Sequence, residues 1–456
     1  MKRIVVLGGG FGGVAAARRL SKIPDAEVLL VNRTNFLTYT PFLADLAGGT
    51  MAIVHAIPPL RMMAPDAKVE VAEIIGIDVA AQKVHVCLDG RTCQERGFDY
   101  LVVALGAHTN YRHGAGSERF GFPLYAADHA FVLRNHVLEM LELAEASVDP
   151  DLRREALTFV FCGGGFSGVE GAAAIQDLVH GALKYYKTIK PDEPTFILAP
   201  HGHRLLEQID EKLGDYVVSR LRKRGVDVRL GVGATEVAAH SVTLTTGEVV
   251  PTRTVLWAAG IEVSPVLREV GLPKDRHGAI QVDHRLQVHG HENVYALGDC
   301  AAVPTADGGG FYAPTAQNAL REGPVAADNI RALIEGREPH YDFEYDPIGA
   351  LASLGHRQAV AQVMGVKLSG FLAWFMWRGI YLTKLPNFTR KFQVGMDWIG
   401  DVFAPVETTY FPLAPIMLRF ARSDEVAQVA LRAERDSTLG PPSWEAPGPS
   451  APPPDP

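Results

Sequence analysis

The sequence contains few cysteines and no cysteine motif. It has 456 residues and four cysteines, and they show neither C-x-x-C spacing nor the spacing of a metal site. The sequence therefore predicts no metal centre, and scattered buried thiols in a reducing compartment are the favoured interpretation. The four residues are Cys87, Cys93, Cys162 and Cys300.

Excess positive charge and long apolar segments are also lacking. The formal net charge of −8 argues against a general nucleic-acid-binding protein. The apolar run Phe371–Trp377 is followed by Arg378, so it is shorter than the roughly 20 residues that a membrane-spanning helix needs. The N-terminus begins with a strand-like segment and carries no charged-then-apolar signal, which predicts a protein whose main body stays in the cytoplasm.

A glycine-rich turn lies near the N-terminus. The strand-like run Ile4–Leu7 is followed by Gly8, Gly10 and Gly13, and Val14–Leu20 has the pattern of a helix. In this arrangement the glycines permit a tight turn, close approach of a pyrophosphate and close packing of helix on strand. The helix N-terminus then directs N–H groups at the phosphates. The stretch predicts a dinucleotide-binding unit.

The pattern occurs a second time after the strand-like run Thr158–Phe161, with Gly163, Gly165 and Gly168 at the same spacing. Two such turns indicate two nucleotides or one fold used twice. An enzyme that passes electrons between a bound flavin dinucleotide and a visiting nicotinamide needs such a pair.

The second strand of each unit departs from the usual ending in Asp or Glu, which binds ribose hydroxyls. The first unit has Asn32, whose amide can still accept from a hydroxyl. In the second unit the position falls near Pro200, where His201, His203 and Arg204 follow and no carboxylate is adjacent. We predict weak discrimination against NADPH or a preference for it; a solvated turn is the alternative interpretation.

Small residues end other strand-like runs, where the backbone can pass close to a ligand. Ala104 and Gly106 end one run, and Gly260 ends its counterpart in the second unit. A later run ends in Gly-Asp, which can place Asp299 on a flavin ribityl hydroxyl. Residues Tyr312–Leu320 predict a helix with a proline at its start, and its positive end would stabilise a reduced flavin.

The segment from Ile348 to Met396 is rich in Phe, Trp and Leu, and its charged side chains from Ala350 onward are basic. Such a segment is typical of a membrane interface, where anionic lipid attracts lysine and arginine. A core or dimer helix is the alternative. The tail beyond it is proline-rich, and we expect it to be disordered.

These motifs come in the order seen in type II NADH:quinone oxidoreductases, and the chain resembles that family over residues 1–412. The more specific stretches are Thr109–Tyr111, Pro314–Gln317 and Leu368–Trp374. The resemblance implies an α/β fold with two Rossmann-like dinucleotide-binding domains and a C-terminal amphipathic membrane-associating region. It also implies noncovalent FAD, hydride transfer from NADH or NADPH to FAD, and reduction of a membrane quinone without proton pumping.

The expected domains are an FAD-binding domain made of residues 1–111 and 275–345 and an NAD(P)H-binding domain of residues 112–274. A membrane-interface region of residues 346–436 and a disordered tail of residues 437–456 follow. The implied location is peripheral, on the cytoplasmic face of the cell membrane. A homodimer is a further expectation, since an amphipathic region can pair as well as bind lipid.

The resemblance also implies roles for single residues. Glu170 would lie near nicotinamide and flavin and assist hydride or proton movement, unless it is only a structural helix carboxylate. Gln317 would lie between flavin and quinone, and Lys384 would be a proton partner or a lipid anchor. The family often has a glutamine where this chain has Arg321. The residues expected to bind the two cofactors are Gly8, Gly10, Gly12, Gly13, Asn32, Ala104, Gly106, Gly163, Gly165, Gly168, Glu170, Gly260, Asp299, Ala316 and Gln317.

Three other functions are consistent with parts of the sequence. A sulfide:quinone oxidoreductase shares the architecture but needs redox cysteines beside the flavin, and neither Cys162 nor Cys300 has an evident partner. A soluble flavoprotein reductase of a small redox protein leaves the basic aromatic segment unexplained. A nucleotide-sensing flavoprotein without turnover is disfavoured by Glu170 and Gln317.

Overall fold

The computed structural model describes residues 1–412 apart from 89, 91, 386, 387, 404 and 405. Residues Met1–Thr409 form one compact body, and the residues from Tyr410 onward are separate from it. We call the two nucleotide-binding units, both of which lie within Met1–Thr409, the first and second units. The predicted disordered tail and the last part of the expected membrane-interface region lie outside the described residues.

Two parallel sheets carry the two glycine-rich turns, and in each sheet the strand that precedes the turn is central. In spatial order, the first sheet contains Val294–Ala296, Tyr100–Val103, Lys2–Leu7, Ala26–Asn32 and Lys68–Val71. The second sheet contains Val226–Val228, Thr195–Leu198, Thr158–Cys162, Thr254–Trp257 and Phe122–Pro123. This doubled α/β architecture confirms the predicted fold class.

The central strands are covered on both faces, as parallel sheets require. Ile4 and Val6 are fully buried, and Phe159 and Val160 are fully buried at the matching place of the second sheet. The α-helices of the described part of the chain are Phe11–Leu20, Leu43–Gly48, Ile53–Ala56, Leu60–Met63, Ser117–Phe120, Ala127–Ala146, Pro150–Leu157, Phe166–Ala182, Glu211–Lys223, Ala316–Ile334, Phe371–Lys384 and Phe388–Phe403.

Small antiparallel sheets complete the fold. One contains Glu73–Asp78, Lys83–Cys87 and Cys93–Gly97, the next Ala234–Val237, Ser241–Leu244 and Val249–Pro251, and the last Gly349–Ser353, Ala359–Val363 and Val366–Gly370. Two strand pairs join Ala107–Thr109 to Ile261–Val263 and Ile280–Gln281 to Ala301–Ala302.

A disulfide joins Cys87 to Cys93 across neighbouring antiparallel strands. The prediction that all four cysteines are buried thiols was therefore wrong for this pair. The pairing became visible only in the fold, because the register places the two residues opposite each other.

The C-terminal sheet leads into the helices Phe371–Lys384 and Phe388–Phe403. Arg378 joins the two helices, since its Nη2 donates to Asp401 at 2.8 Å and its Nη1 donates to the Trp398 carbonyl at 3.1 Å. Among the described residues, no helix has the length and apolar character needed to cross a membrane.

Candidate active site

The first glycine-rich turn is built so that one side is crowded and the other is open. Gly8 has a φ of 103°, and a Cβ there would lie 2.1 Å from the Ala104 carbonyl oxygen. A Cβ at Gly13 would lie 1.9 Å from the Gly8 oxygen, whereas one at Gly10 would meet nothing within 4 Å. The turn packs closely on the strand ends and leaves the Gly10 backbone accessible, which fits the approach of a pyrophosphate.

The second turn repeats this geometry. Gly163 has a φ of 132°, and a Cβ there would lie 2.2 Å from the Ala258 carbonyl oxygen. A Cβ at Gly168 would lie 2.1 Å from the Gly163 oxygen, and the position at Gly165 is again open. The two turns therefore have equivalent geometry at the starts of the helices Phe11–Leu20 and Phe166–Ala182, where the free N–H groups of a helix N-terminus suit an anion.

The other glycines predicted to bind cofactor differ in what surrounds them. A Cβ at Gly12 would lie 2.3 Å from Leu297, so this glycine serves the packing of the turn. Gly106 and Gly260 have φ values of 62° and 114°, which a side chain rarely adopts. Both follow strands of the parallel sheets, as the sequence predicted, and their contact with a cofactor stays a prediction.

Asn32 is turned toward the glycine-rich turn. Its Oδ1 accepts a hydrogen bond from Gly9 N at 2.8 Å, and its Nδ2 donates to the Thr34 carbonyl at 2.9 Å. An amide oxygen has a second lone pair, so an additional bond from a ribose hydroxyl stays a prediction. Sequence reasoning assigned Asn32 only to the ribose and missed its role in holding the turn.

Pro200 occupies the place in the second unit that Asn32 occupies in the first. A Cβ at Gly164 would lie 2.9 Å from Pro200, just as one at Gly9 would lie 2.9 Å from the Asn32 side chain. This confirms the register on which the cofactor-specificity prediction rests.

The loop after Pro200 does contain a nearby carboxylate. Glu207 folds back so that its Oε1 would lie 2.8 Å from a Cβ at Gly202. His201 and His203 are exposed and lie against Gly233 and Gly231. Sequence reasoning considered the residues next to Pro200 and missed Glu207.

Asp299 lies just after the first-sheet strand Val294–Ala296. Burial raises the pKa of Asp299, and a hydrogen bond from Tyr125 to its Oδ2, 3.1 Å long, opposes that rise. The buried Glu322 accepts from Gly298 N at 2.6 Å, and burial raises its pKa to about 7. Within the described chain, no hydrogen bond reaches Oδ1 of Asp299, which is thus available to a ligand hydroxyl.

Glu170 lies on the helix Phe166–Ala182 and is held by the C-terminal sheet. Its Oε1 accepts from Ser353 N at 2.8 Å. Burial raises the pKa of Glu170 to about 8, the Ser353 N–H opposes this, and the nearby charge of Asp45 adds to it. The raised pKa favours the protonated form of the Glu170 carboxyl at neutral pH.

Asp45 is a second carboxyl at this place that sequence reasoning missed. Its Oδ1 accepts from the Thr50 hydroxyl at 3.0 Å, whereas its Oδ2 is buried without a hydrogen-bond partner among the described residues. Burial raises the pKa of Asp45 to about 6, and Arg378 opposes the rise. The available sequence signal was a single carboxylate within the apolar stretch Phe42–Gly48.

Gln317 is fixed at both ends of its amide. Its Nε2 donates to the Gly349 carbonyl at 3.2 Å, and its Oε1 accepts from the Tyr345 hydroxyl at 2.9 Å. The helix that carries Gln317 begins at Ala316 and is capped by Thr315. The proline predicted at the helix start, Pro314, precedes this cap.

Arg321 lies beside Gln317, and Lys384 is close enough to Arg321 to be affected by its charge. Arg321 is one helical turn further along, donates to the Gln317 carbonyl at 2.7 Å, and lies 4.0 Å from the centre of the Tyr345 ring. Partial desolvation and the positive charge of Arg321 lower the pKa of Lys384.

Glu170 and Gln317 are bound to opposite ends of one strand. Glu170 accepts from Ser353 and Gln317 donates to Gly349, the last and first residues of Gly349–Ser353. At about 3.3 Å per residue, these two attachment points are about 13 Å apart. We call the region along this strand between Glu170 and Gln317 the trough.

Aromatic side chains form one wall of this region. Trp377 and Tyr381 lie on the helix Phe371–Lys384 one turn apart, with ring centres separated by 4.8 Å. Phe42 lies 6.1 Å from each of them and 5.7 Å from Trp398. Lys384 is seven residues beyond Trp377 on this helix, so the same helix face extends from the Glu170 end to the Gln317 end.

The two cysteines near the nucleotide turns are unreactive by position. Cys162 and Cys300 are free and buried, and burial raises the pKa of each to about 12. Neither is a thiolate at neutral pH, which removes the support for sulfide chemistry at these residues.

Comparison with known proteins agrees with this geometry. The profile of the pyridine nucleotide-disulphide oxidoreductases matches residues 2–323, and that of the NDH2 C-terminal domain matches residues 348–404. The chain is 32% identical over 410 residues to type II NADH:quinone oxidoreductase Ndh of Mycobacterium tuberculosis, with 87% of each chain covered. This chain belongs to the type II NADH:quinone oxidoreductase family.

As a member of this family, the protein is an oxidoreductase that uses NADH and quinone. It is also 31% identical to demethylphylloquinone reductase NdbB of Synechocystis, covering 87% of this chain and 95% of the relative. Its fold matches NDH2 of Plasmodium falciparum in complex with NADH, with a TM-score of 0.83, 19% identity, and 90% and 99% of the two chains covered. The resemblance predicted from the motifs is confirmed.

Proposed function

We propose that this type II NADH:quinone oxidoreductase binds FAD at the first glycine-rich turn and NADH at the second, and reduces a quinone at the Gln317 end of the trough. The observation that carries the proposal is the attachment of Glu170 and Gln317 to opposite ends of one C-terminal strand. It brings the second nucleotide unit, the first unit and the family-specific C-terminal domain to one place.

The proposed FAD domain consists of residues 1–111 and 275–345, and the proposed NAD(P)H domain of residues 112–274. The return of Val294–Ala296 to the first sheet supports the discontinuous FAD domain. The open cradle at Gly10 and the free Oδ1 of Asp299 fit the pyrophosphate and a hydroxyl of FAD. When bound, FAD supplies hydride acceptance from NADH and electron transfer to quinone.

Glu170 is the proposed proton-holding group. Reduction of a quinone by NADH consumes one proton from solvent, because NADH supplies a hydride and the quinol carries two hydrogens. A carboxyl with a pKa near 8 holds such a proton at neutral pH and can release it. Asp45 is the proposed neighbour that keeps Glu170 protonated.

Gln317 and Lys384 are the proposed quinone-side residues. Tyr345 and Gly349 fix the Gln317 amide, so it can orient a quinone oxygen without reorganising. Of the two roles predicted for Lys384, we favour that of proton partner, since desolvation and Arg321 both make its proton easier to release.

NADPH is the proposed second donor. Pro200 offers no carboxylate to repel a 2′-phosphate, and His201 and His203 are exposed beside it. Glu207 partly offsets these groups. The supported outcome is weak discrimination between the two donors.

We propose that the protein attaches peripherally to the cytoplasmic face of the membrane. The proposed attachment surface is an exposed apolar stripe on the helix Phe388–Phe403. The stripe follows helical spacing on one face of Phe388–Phe403, while Val394 and Trp398 on the opposite face are buried. It consists of Phe388, Phe392, Met396, Ile399 and Phe403, which are 50–85% exposed. A homodimer stays a prediction, which light scattering of the detergent-solubilised protein tests.

An anaerobic titration of the yellow protein tests the proposed reaction. Flavin absorbance near roughly 450 nm is followed while NADH or NADPH is added, and a soluble quinone analogue is added last. We expect bleaching by both nucleotides and recovery with quinone. Bleaching without recovery would refute the quinone half, and the absence of bleaching would refute the proposal.

A further inference from the structure

Tyr125 lies where the two nucleotide units meet. It follows the strand Phe122–Pro123, which is the edge of the second sheet, and precedes the helix Ala127–Ala146. Its side chain nevertheless reaches the first unit. Sequence reasoning gave Tyr125 no role, since nothing in its local pattern indicates a distant partner.

The Tyr125 hydroxyl connects two segments that follow strands of the first sheet. It donates to Oδ2 of Asp299 at 3.1 Å and accepts from Ala107 N at 3.3 Å. Asp299 follows the strand Val294–Ala296, and Ala107 follows the adjacent strand Tyr100–Val103. One hydroxyl thus ties both strand ends to the second unit.

Tyr125 is the donor and Asp299 the acceptor in their hydrogen bond. Burial raises the pKa of Tyr125 beyond its usual value, so the hydroxyl stays protonated and donates to the carboxylate. The titratable groups nearest to this contact are Glu322, which accepts from Gly298 N, the buried thiol of Cys300, and His129, whose Nδ1 accepts from Tyr125 N at 3.4 Å. With Oδ2 occupied by Tyr125, Oδ1 is the oxygen left for a ligand.

We propose that Tyr125 is a positioning residue for FAD: its hydroxyl orients Asp299 so that Oδ1 meets a hydroxyl of the cofactor. This inference rests on the proposed FAD-binding role of Asp299. Tyr125 does not touch the reacting atoms, and it acts through the carboxylate. Because Tyr125 belongs to the second unit, the same bond couples FAD retention to the position of that unit.

FAD release from the full-length holoenzyme tests the inference. Holoenzymes of the wild type, Tyr125→Phe and Asp299→Asn are diluted, and released FAD is measured by its fluorescence from pH 5 to pH 9. The matched control is Tyr186→Phe, which also removes a hydroxyl that donates to a carboxylate, at Glu142. Thermal unfolding of each variant shows whether it is folded.

We expect Tyr125→Phe to raise the FAD dissociation constant about tenfold at pH 7, since a hydrogen bond to a charged group is lost. The removal of this bond also raises the pKa of Asp299, so loss of FAD on acidification should begin at higher pH. Asp299→Asn should weaken FAD binding and remove this part of the pH profile, leaving the contribution of Glu322. Tyr186→Phe should match the wild type.

The outcomes separate the two assignments. If Asp299→Asn weakens FAD binding while Tyr125→Phe matches the wild type in affinity and pH profile, the role of Tyr125 is refuted and that of Asp299 stands. If Asp299→Asn itself binds FAD like the wild type, the proposed role of Asp299 is refuted, and that of Tyr125 with it. Lower thermal stability of Tyr125→Phe with an unchanged pH profile would show a merely structural role.

Discussion

Glu170 accepts a hydrogen bond from one end of the strand Gly349–Ser353, and Gln317 donates one to its other end. Glu170 belongs to the helix that begins at the second glycine-rich turn, and Gln317 to the helix that crosses the first unit. The C-terminal strand therefore sets the spacing between the residue proposed to handle the proton and the residue proposed to orient the quinone.

The raised pKa of Glu170 predicts the alkaline limb of the activity profile. Its carboxyl is protonated below about pH 8 and loses its proton above it, so quinone reduction should slow as the pH rises through 8. Glu170→Gln keeps an acceptor for Ser353 N but holds no transferable proton. We expect its turnover to fall about a hundredfold and to lose this limb in steady-state pH profiles. An unchanged limb would assign the proton to another group.

Asp45 should shift that limb without abolishing it. Its negative charge raises the pKa of Glu170, so Asp45→Asn should lower that pKa and move the onset of the alkaline decline to lower pH. The same pH profile measures the shift. Asp66→Asn, which removes an exposed carboxylate elsewhere, is the control. If the pH profile of Asp45→Asn is identical to that of the control, Asp45 does not raise the pKa of Glu170.

Pro200 predicts how donor choice can be changed. Pro200→Asp places a carboxylate at the end of the second strand, where it would accept from ribose hydroxyls and repel a 2′-phosphate. We expect kcat/KM for NADPH to fall at least tenfold relative to NADH. Glu207→Gln should act in the opposite direction and favour NADPH, since Glu207 is the carboxylate already beside this loop. Equal changes for both donors would contradict this placement of the ribose.

The exposed apolar stripe predicts vesicle binding. Replacing Phe392 and Phe403 by serine should reduce sedimentation with anionic vesicles at least tenfold, because each phenyl group contributes about 1.5–3 kcal/mol when buried. Phe311→Ser is the matched control, since Phe311 is 56% exposed and lies outside these helices. If the control loses as much binding as the double variant, the stripe is not the attachment surface.

Local patterns were enough to predict much of the fold. The glycine spacing, the apolar runs before it and the small residues at strand ends identified two parallel sheets and their central strands. The register around Pro200 was also predictable, because the duplicated unit supplied its own template. These features depend on neighbours within a few residues.

The rest depends on contacts that only the folded backbone creates, some of them between distant parts of the chain. Ser353 is 183 residues from Glu170, and Asp299 is 174 residues from Tyr125. The pairing of Cys87 with Cys93 and the return of Glu207 to Gly202 needed the actual course of the backbone. Asp45 is significant only because helix Leu43–Gly48 places it beside Glu170, which no periodicity indicates.

Separate measurement of the two half-reactions tests the trough most directly. In anaerobic stopped-flow experiments, flavin reduction by NADH and reoxidation by a soluble quinone are recorded for the wild type and Gln317→Ala. We predict that Gln317→Ala slows reoxidation at least tenfold more than reduction. A variant that slows reduction by NADH while quinone reoxidises its flavin at the wild-type rate would contradict the assignment of Gln317 to the quinone end.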